Sequence, residues 1–123
     1  MKIKKVRIGI KDIKAIFEGV KETVKKIERG EKLKPVKEPE IYFTSLESFR
    51  KALTPKRLEL LHIIRIKKPE SINELARMAK RDIKNIADDV KYLGQAGFVE
   101  IKESKRKTAP IIDYDRIDLQ IAV

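Results

Sequence analysis

The chain contains no cysteine, which excludes a disulfide scaffold and a thiolate zinc site. Its one histidine, His62, leaves little for imidazole catalysis or metal ligation, and its expected place is a gap at the edge of a core helix. No run of about 18 apolar residues occurs, so no membrane span is expected. The basic start, Met1-Lys2-Ile3-Lys4-Lys5-Val6-Arg7, lacks an apolar signal core. The carboxylates Glu59, Glu74, Asp88 and Asp89 have no histidine, cysteine or Gly-rich phosphate loop beside them, which argues against an enzyme and against any cofactor. No aromatic-rich strand pair offers stacking for unpaired bases, which counts against RNA. No segment is low in complexity, and a hydrophobic fraction of 41% is enough for a core. The expectation is a soluble, cytoplasmic protein of one domain with an appended element.

What is abundant is charge. Thirty Lys/Arg stand against 19 Asp/Glu, a net charge of +11, which favours polyanionic partners through steering and counterion release. Lys, Glu and Ile are plentiful while Asn and Gln are scarce, a bias of proteins from hot environments. That bias weakens the inference from net charge alone, so the distribution matters more. Residues 1–38 hold 13 Lys/Arg and 6 Asp/Glu, and residues 54–97 hold 10 and 6. Residues 98–123 hold 5 of each, but Lys105-Arg106-Lys107 is a tight basic cluster apart from Asp113, Asp115 and Asp118.

The hydrophobic period divides the chain. Ile3, Val6 and Ile8 among charged neighbours predict a strand over 2–8. Ile13, Ile16, Phe17, Val20, Val24 and Ile27 form one stripe of an amphipathic helix ending near Gly30. The prolines of Leu33-Lys34-Pro35-Val36-Lys37-Glu38-Pro39 mark a linker. Residues 1–38 therefore read as a basic strand-helix arm, and 39–123 as the main domain. The arm's apolar stripe needs a cover: the domain's own core, a second subunit or a different protein.

In the main domain, Ile41-Tyr42-Phe43 predicts a short strand. Thr44 or Ser45 can cap a following helix that turns Leu46, Phe49 and Leu53 inward. Thr54-Pro55 starts the next helix with a capping hydroxyl and a proline at the first position. Its run Leu58, Leu60, Leu61, Ile63, Ile64 and Ile66 is apolar over more than half the circumference, so it is expected at the centre of the core. Ser71-Ile72-Asn73-Glu74 is a capping box for a short helix. Lys80-Arg81-Asp82 makes a turn, and Asp82 is expected to cap a third helix over 82–96. Phe98-Val99-Glu100-Ile101 begins a hairpin, Thr108 to Tyr114 returns, and Ile117 to Ile121 alternates as a further strand.

The third helix is where recognition chemistry is expected. At about 100° per residue, Ile86, Ala87, Val90 and Leu93 fall within about 80° of Ile83 and are expected to face the core. The opposite side holds Lys84, Asn85, Asp88, Tyr92 and Gln95. Lysine can reach guanine, asparagine can pair with adenine and aspartate can accept from cytosine. Because the N-terminal half of such a helix enters the groove first, Lys84, Asn85 and Asp88 are the expected base readers. Arg81, Lys91 and the hairpin tip Lys105, Arg106 and Lys107 are the expected phosphate contacts, with Lys56, Arg57 and Lys80 as further candidates. Alone, that helix face reads better as an ordinary solvated surface. The capped helix before it, the basic turn and the hairpin after it favour recognition.

Several segments together resemble the winged-helix DNA-binding proteins of the MarR-like superfamily, and look closest to small, mostly archaeal transcriptional regulators. They are Phe43-Thr44-Ser45-Leu46-Glu47, Leu53-Thr54-Pro55-Lys56-Arg57-Leu58-Glu59-Leu60-Leu61, Ser71-Ile72-Asn73-Glu74-Leu75-Ala76, Arg81-Asp82, Asn85, Asp88-Asp89-Val90, Leu93, Gly97-Phe98-Val99-Glu100 and Pro110. The resemblance covers roughly 40–115. It implies an α+β winged helix-turn-helix with a recognition helix at 82–96 and a β-hairpin wing at 98–114. The implied function is sequence-specific binding of double-stranded DNA by a homodimeric transcriptional regulator. Some members of the group pair with a small toxin, so the alternative is an antitoxin that neutralises a protein toxin and represses its own promoter.

Overall fold

The computed structural model describes residues 5–11, 13–32 and 40–121, and for 13, 15, 16 and 40 it describes the backbone. The fold is α+β. Along the chain run β1 (Lys5–Ile10), α1 (Ile13–Glu28), β2 (Glu40–Phe43), α2 (Leu46–Ala52) and α3 (Pro55–Lys67). Then follow α4 (Ile72–Ala79), α5 (Ile83–Ala96), β3 (Glu100–Ser104), β4 (Lys107–Ile111) and β5 (Arg116–Ile121). No helix among the described residues is long and apolar enough to cross a membrane.

The chain forms two compact units, one of Arg50–Asp115 and one of Lys5–Phe49 with Arg116–Val123. The division thus falls inside α2, not at the 38/39 boundary suggested by the linker. Residues 33–39, the linker itself, lie outside the described residues, as does Ile3.

The second unit is a three-stranded parallel sheet ordered β2-β1-β5. Parallel neighbours cannot be joined by a tight turn, and α1 lies in the crossover from β1 to β2. The alternation seen in the sequence places Val6 and Ile8 on one face, both buried, opposite Ile117 and Leu119 in register on β5. Gly9 permits a close approach on the other face: a Cβ there would lie 2.7 Å from the ring of Tyr42. Alternation marked β5 as a strand, but its pairing with β1, about a hundred residues earlier, is a tertiary choice that period alone does not encode. Among the described residues nothing encloses the stripe of α1. Phe17, Val20, Val24 and Ile27 are all exposed, while the side chains of Ile13 and Ile16 lie outside the described set.

In the first unit, the helix starts follow their local signals. The Thr54 hydroxyl accepts from the Arg57 amide at 3.2 Å, with Pro55 at the first helical position. Ser71 Oγ accepts from the Glu74 amide at 3.1 Å. Gly97 closes α5 in the left-handed conformation, φ 91°. Lys68 and Lys80, with φ of 48° and 55°, do the same for α3 and α4 without glycine's freedom. The core gathers Leu60, Leu61, Ile63 and Ile64 of α3, Leu75 and Ala76 of α4, Ile86, Val90 and Leu93 of α5, and Phe98 and Val99. Helix α3 is less enclosed than its composition suggested: Leu58, His62 and Ile66, one turn apart along one side, are exposed.

Candidate nucleic-acid interface

Helices α4 and α5 are joined by the three-residue turn Lys80-Arg81-Asp82. The turn is tight because Lys80 adopts φ 55°, ψ 44°, and its amide donates back to the carbonyls of Ala76 and Arg77. Asp82 occupies the N-cap position of α5 as expected, but its side chain makes no capping hydrogen bond. Antiparallel β3 and β4 follow α5 as a hairpin with Ser104 paired to Lys107, so Lys105 and Arg106 form its tip. Tyr114, just past the return strand, donates its hydroxyl to the Phe98 carbonyl at 2.7 Å and ties the end of the hairpin segment to its start. Burial and, less, the neighbouring Asp113 carboxylate push the Tyr114 phenol up to about 12. Arg65 of α3 donates to the Tyr114 carbonyl at 3.0 Å and pairs with Asp115.

Burial along α5 corrects the angular reading. Ile86, Val90 and Leu93 are buried, but Ala87 is exposed and Ile83 is 46% exposed. The core-facing line is therefore turned by about 50° from the one drawn through Ile83. Leucine, isoleucine and alanine alike counted as apolar in that estimate, which let two surface residues pull its centre. The outward side now runs from Ala87 through Lys91, Lys84, Gln95 and Asp88 to Tyr92 and Asn85, and Ile83 sits beyond its edge, towards α4.

All three expected base readers, Lys84, Asn85 and Asp88, are exposed. Lys84 and Asp88 lie near the middle of the outward side, whereas Asn85 lies on the flank of Asp89 and Tyr92. Lys91 is exposed, as are Lys105, Arg106 and Lys107. Among the described residues no ion pair holds Lys84, Lys91, Lys105 or Arg106, while Lys107 Nζ sits 3.6 Å from Glu70 on an open surface.

Arg81 is placed differently from expectation. Its Nη2 donates to Asp89 Oδ2 at 2.8 Å, and the two side chains are 22% and 16% exposed. The other carboxylate oxygen of Asp89 accepts from Arg57 Nε at 3.2 Å. Arg57 also donates through Nη1 to the Lys51 and Ala52 carbonyls at 2.8 and 3.0 Å, and its guanidinium lies 4.2 Å from the centre of the Tyr92 ring. One carboxylate thus joins the end of α2, the first turn of α3, the α4–α5 turn and α5. Both arginines are occupied in fixing α5, so neither presents its guanidinium outward. Sequence reasoning missed this cluster. Its one visible sign was a second acid, Asp89, about 120° from the core line drawn then, where a solvated carboxylate is equally ordinary.

Exposed cations stand on three parts of this unit. Arg77 and Lys80 stand at the end of α4, Lys84 and Lys91 on α5, and Lys105 and Arg106 at the hairpin tip. Between α4 and the start of α5 lies an open recess of about 500 Å³, lined by residues that include Asn73, Arg77, Lys80 and Ile83. No cluster of potential metal ligands occurs among the described residues.

A protein-family model described as HVO_A0114 matches residues 52–119, more than half of the 123-residue chain, and the protein belongs to that family. The matched segment takes in α3, α4, α5 and the hairpin. No curated protein and no solved structure matches the sequence.

Proposed function

We propose that the protein is a sequence-specific double-stranded DNA-binding regulator of transcription, with Arg50–Asp115 acting as a winged helix-turn-helix of the MarR-like kind. In this reading α5 enters the major groove, whose width admits a helix, and the β3–β4 hairpin is the wing. The observation that carries the reading is the outward side of α5. It holds unpaired Lys84 and Lys91 beside Asp88 and Asn85, on a helix fixed from behind by the Arg57–Asp89–Arg81 cluster. Lys84 reaches guanine, Asp88 accepts from cytosine and Asn85 pairs with adenine at the edge of the contact. Lys91, Lys105, Arg106 and Lys107 meet phosphates. Lys80 and Arg77 take over the phosphate role that Arg81, held by Asp89, cannot fill. No bond of the DNA is made or broken, and regulation follows from occupancy of the operator.

The exposed stripe on α1 supports a two-fold dimer on a pseudo-palindromic site. The same stripe, lying outside the family-matched segment, supports a second reading in which α1 grips a small toxin and the winged helix represses its promoter. Co-purification of a small protein with the chain, lost on Val20→Asp, separates the two readings. A homodimer that Val20→Asp dissociates supports the first.

The test of DNA binding is competition between a preferred duplex, a scrambled duplex and a hairpin RNA. The duplex preference is expected to fall by about 1–3 kcal/mol for Asp88→Ala or Lys84→Ala at the affected base pair. Equal binding of all three nucleic acids would overturn the reading.

A further inference from the structure

Ile83 is the first residue of α5 and is 46% exposed. Ala87, one turn on, is exposed as well, so the two leave a small apolar strip along one edge of the outward side, beginning at the recess that Ile83 helps to line. Ile83 is part-covered by its neighbours at the α4–α5 turn and keeps nearly half of its surface open. The surroundings of the strip are cationic: Lys84 and Lys91 flank it on α5, and Lys80 and Arg77 stand across that recess. The acids nearby are Asp82 at the N-cap and Asp88 one residue beyond Ala87. An apolar partner protein would bring no charge to meet four cations. DNA brings both parts, phosphates for the lysines and one apolar group in the major groove, the C5-methyl of thymine. Ala87 adds a geometric reason, since its short side chain lets the helix axis come close to the base edges.

We infer that Ile83 and Ala87 contact thymine methyl groups, so that the operator carries thymine next to the base pair read by Lys84. This rests on the DNA-binding reading above. It adds a specificity element that hydrogen-bonding groups alone would not supply, because a methyl contact discriminates thymine from cytosine without a polar partner.

The experiment starts from a duplex selected for tight binding. Each thymine is replaced in turn by deoxyuridine, which removes the methyl and keeps the base pair. For the unaltered protein, one or two positions are expected to lose about four-fold in affinity, the factor that burial of one methyl group is worth. Ile83→Ala is expected to bind more weakly and to lose that sensitivity at the same positions. Its melting temperature should fall only slightly, since the side chain is part-exposed and none of the fully buried core is removed. Uniform tolerance of deoxyuridine would overturn the inference, and so would an Ile83→Ala protein as sensitive as the parent. In both cases selective duplex binding would persist and the broader reading would stand. Failure to select any duplex would remove that reading, and the inference with it.

Discussion

The two flanks of α5 do opposite things with similar residues. On one flank, Asp89 and Tyr92 are drawn into contacts with Arg57 and Arg81. On the other, Ile83, Lys84, Ala87, Asp88 and Lys91 make no such contacts and are open to solvent. Asp88 and Asp89 are neighbours of the same chemistry, and about 100° of helical rotation separates a surface carboxylate from a structural one. The lesson is that a basic surface is not a count of arginines. Two of the residues most suited to phosphate are occupied in holding the helix, and the lysines around it are what remains for a ligand.

Replacing the two aspartates separates the flanks most sharply. Asp89→Ala leaves two partly buried guanidiniums without their carboxylate and is expected to cost about 2–4 kcal/mol of stability, read as a lower denaturant midpoint with an unchanged slope. Asp88→Ala is expected to stay within about 0.5 kcal/mol of the parent. Equal destabilisation by the two would break the comparison.

The hairpin anchor gives a smaller effect with a pH signature. Tyr114→Phe removes the bond to the Phe98 carbonyl and is expected to cost about 1–2 kcal/mol. The folded-state phenol titrates near 12, above its ordinary 10.0. The folded state therefore holds its proton more tightly, and this contribution is complete below pH 10 and is lost as the pH rises towards 12. Thermal melting from pH 9 to 12 should fall more steeply for the parent than for Tyr114→Phe, and parallel curves would refute the anchor.

The hairpin tip should show the smallest and least specific change. Lys105→Ala and Arg106→Ala are each expected to leave folding untouched and to weaken all duplexes alike. Each should reduce the slope of log affinity against log salt by about 0.9. A tip variant that altered sequence preference would move base reading to the wing.

Much of the first unit was legible because its signals are local. Thr54-Pro55 and Ser71 with Glu74 each act within one helical turn, and each was found where the sequence put it. The β3–β4 hairpin and the span of α5 were legible for the same reason. Long-range choices were not. The bond from Arg57 to Asp89 joins residues 32 apart, and no periodicity selects that partner over solvent. The pairing of β5 with β1, which carries the chain's end into the sheet unit, was hidden in the same way. The rotation of α5 was misjudged for a different reason. Ile83 and Ala87 are apolar by composition but leave surface open to solvent, and hydrophobic period alone does not separate such residues from those of the core.

The most direct test of the outward flank is selection of bound sequences from a random duplex pool, run in parallel with the parent, Asp88→Asn and Asp89→Asn. The account predicts an enriched, two-fold symmetric motif for the parent. Asp88→Asn should give a motif changed at one base pair per half-site, and Asp89→Asn the parent's motif with weaker recovery from a less stable protein. No enrichment by the parent, or a motif that Asp88→Asn leaves intact while Asp89→Asn rewrites it, would contradict the account.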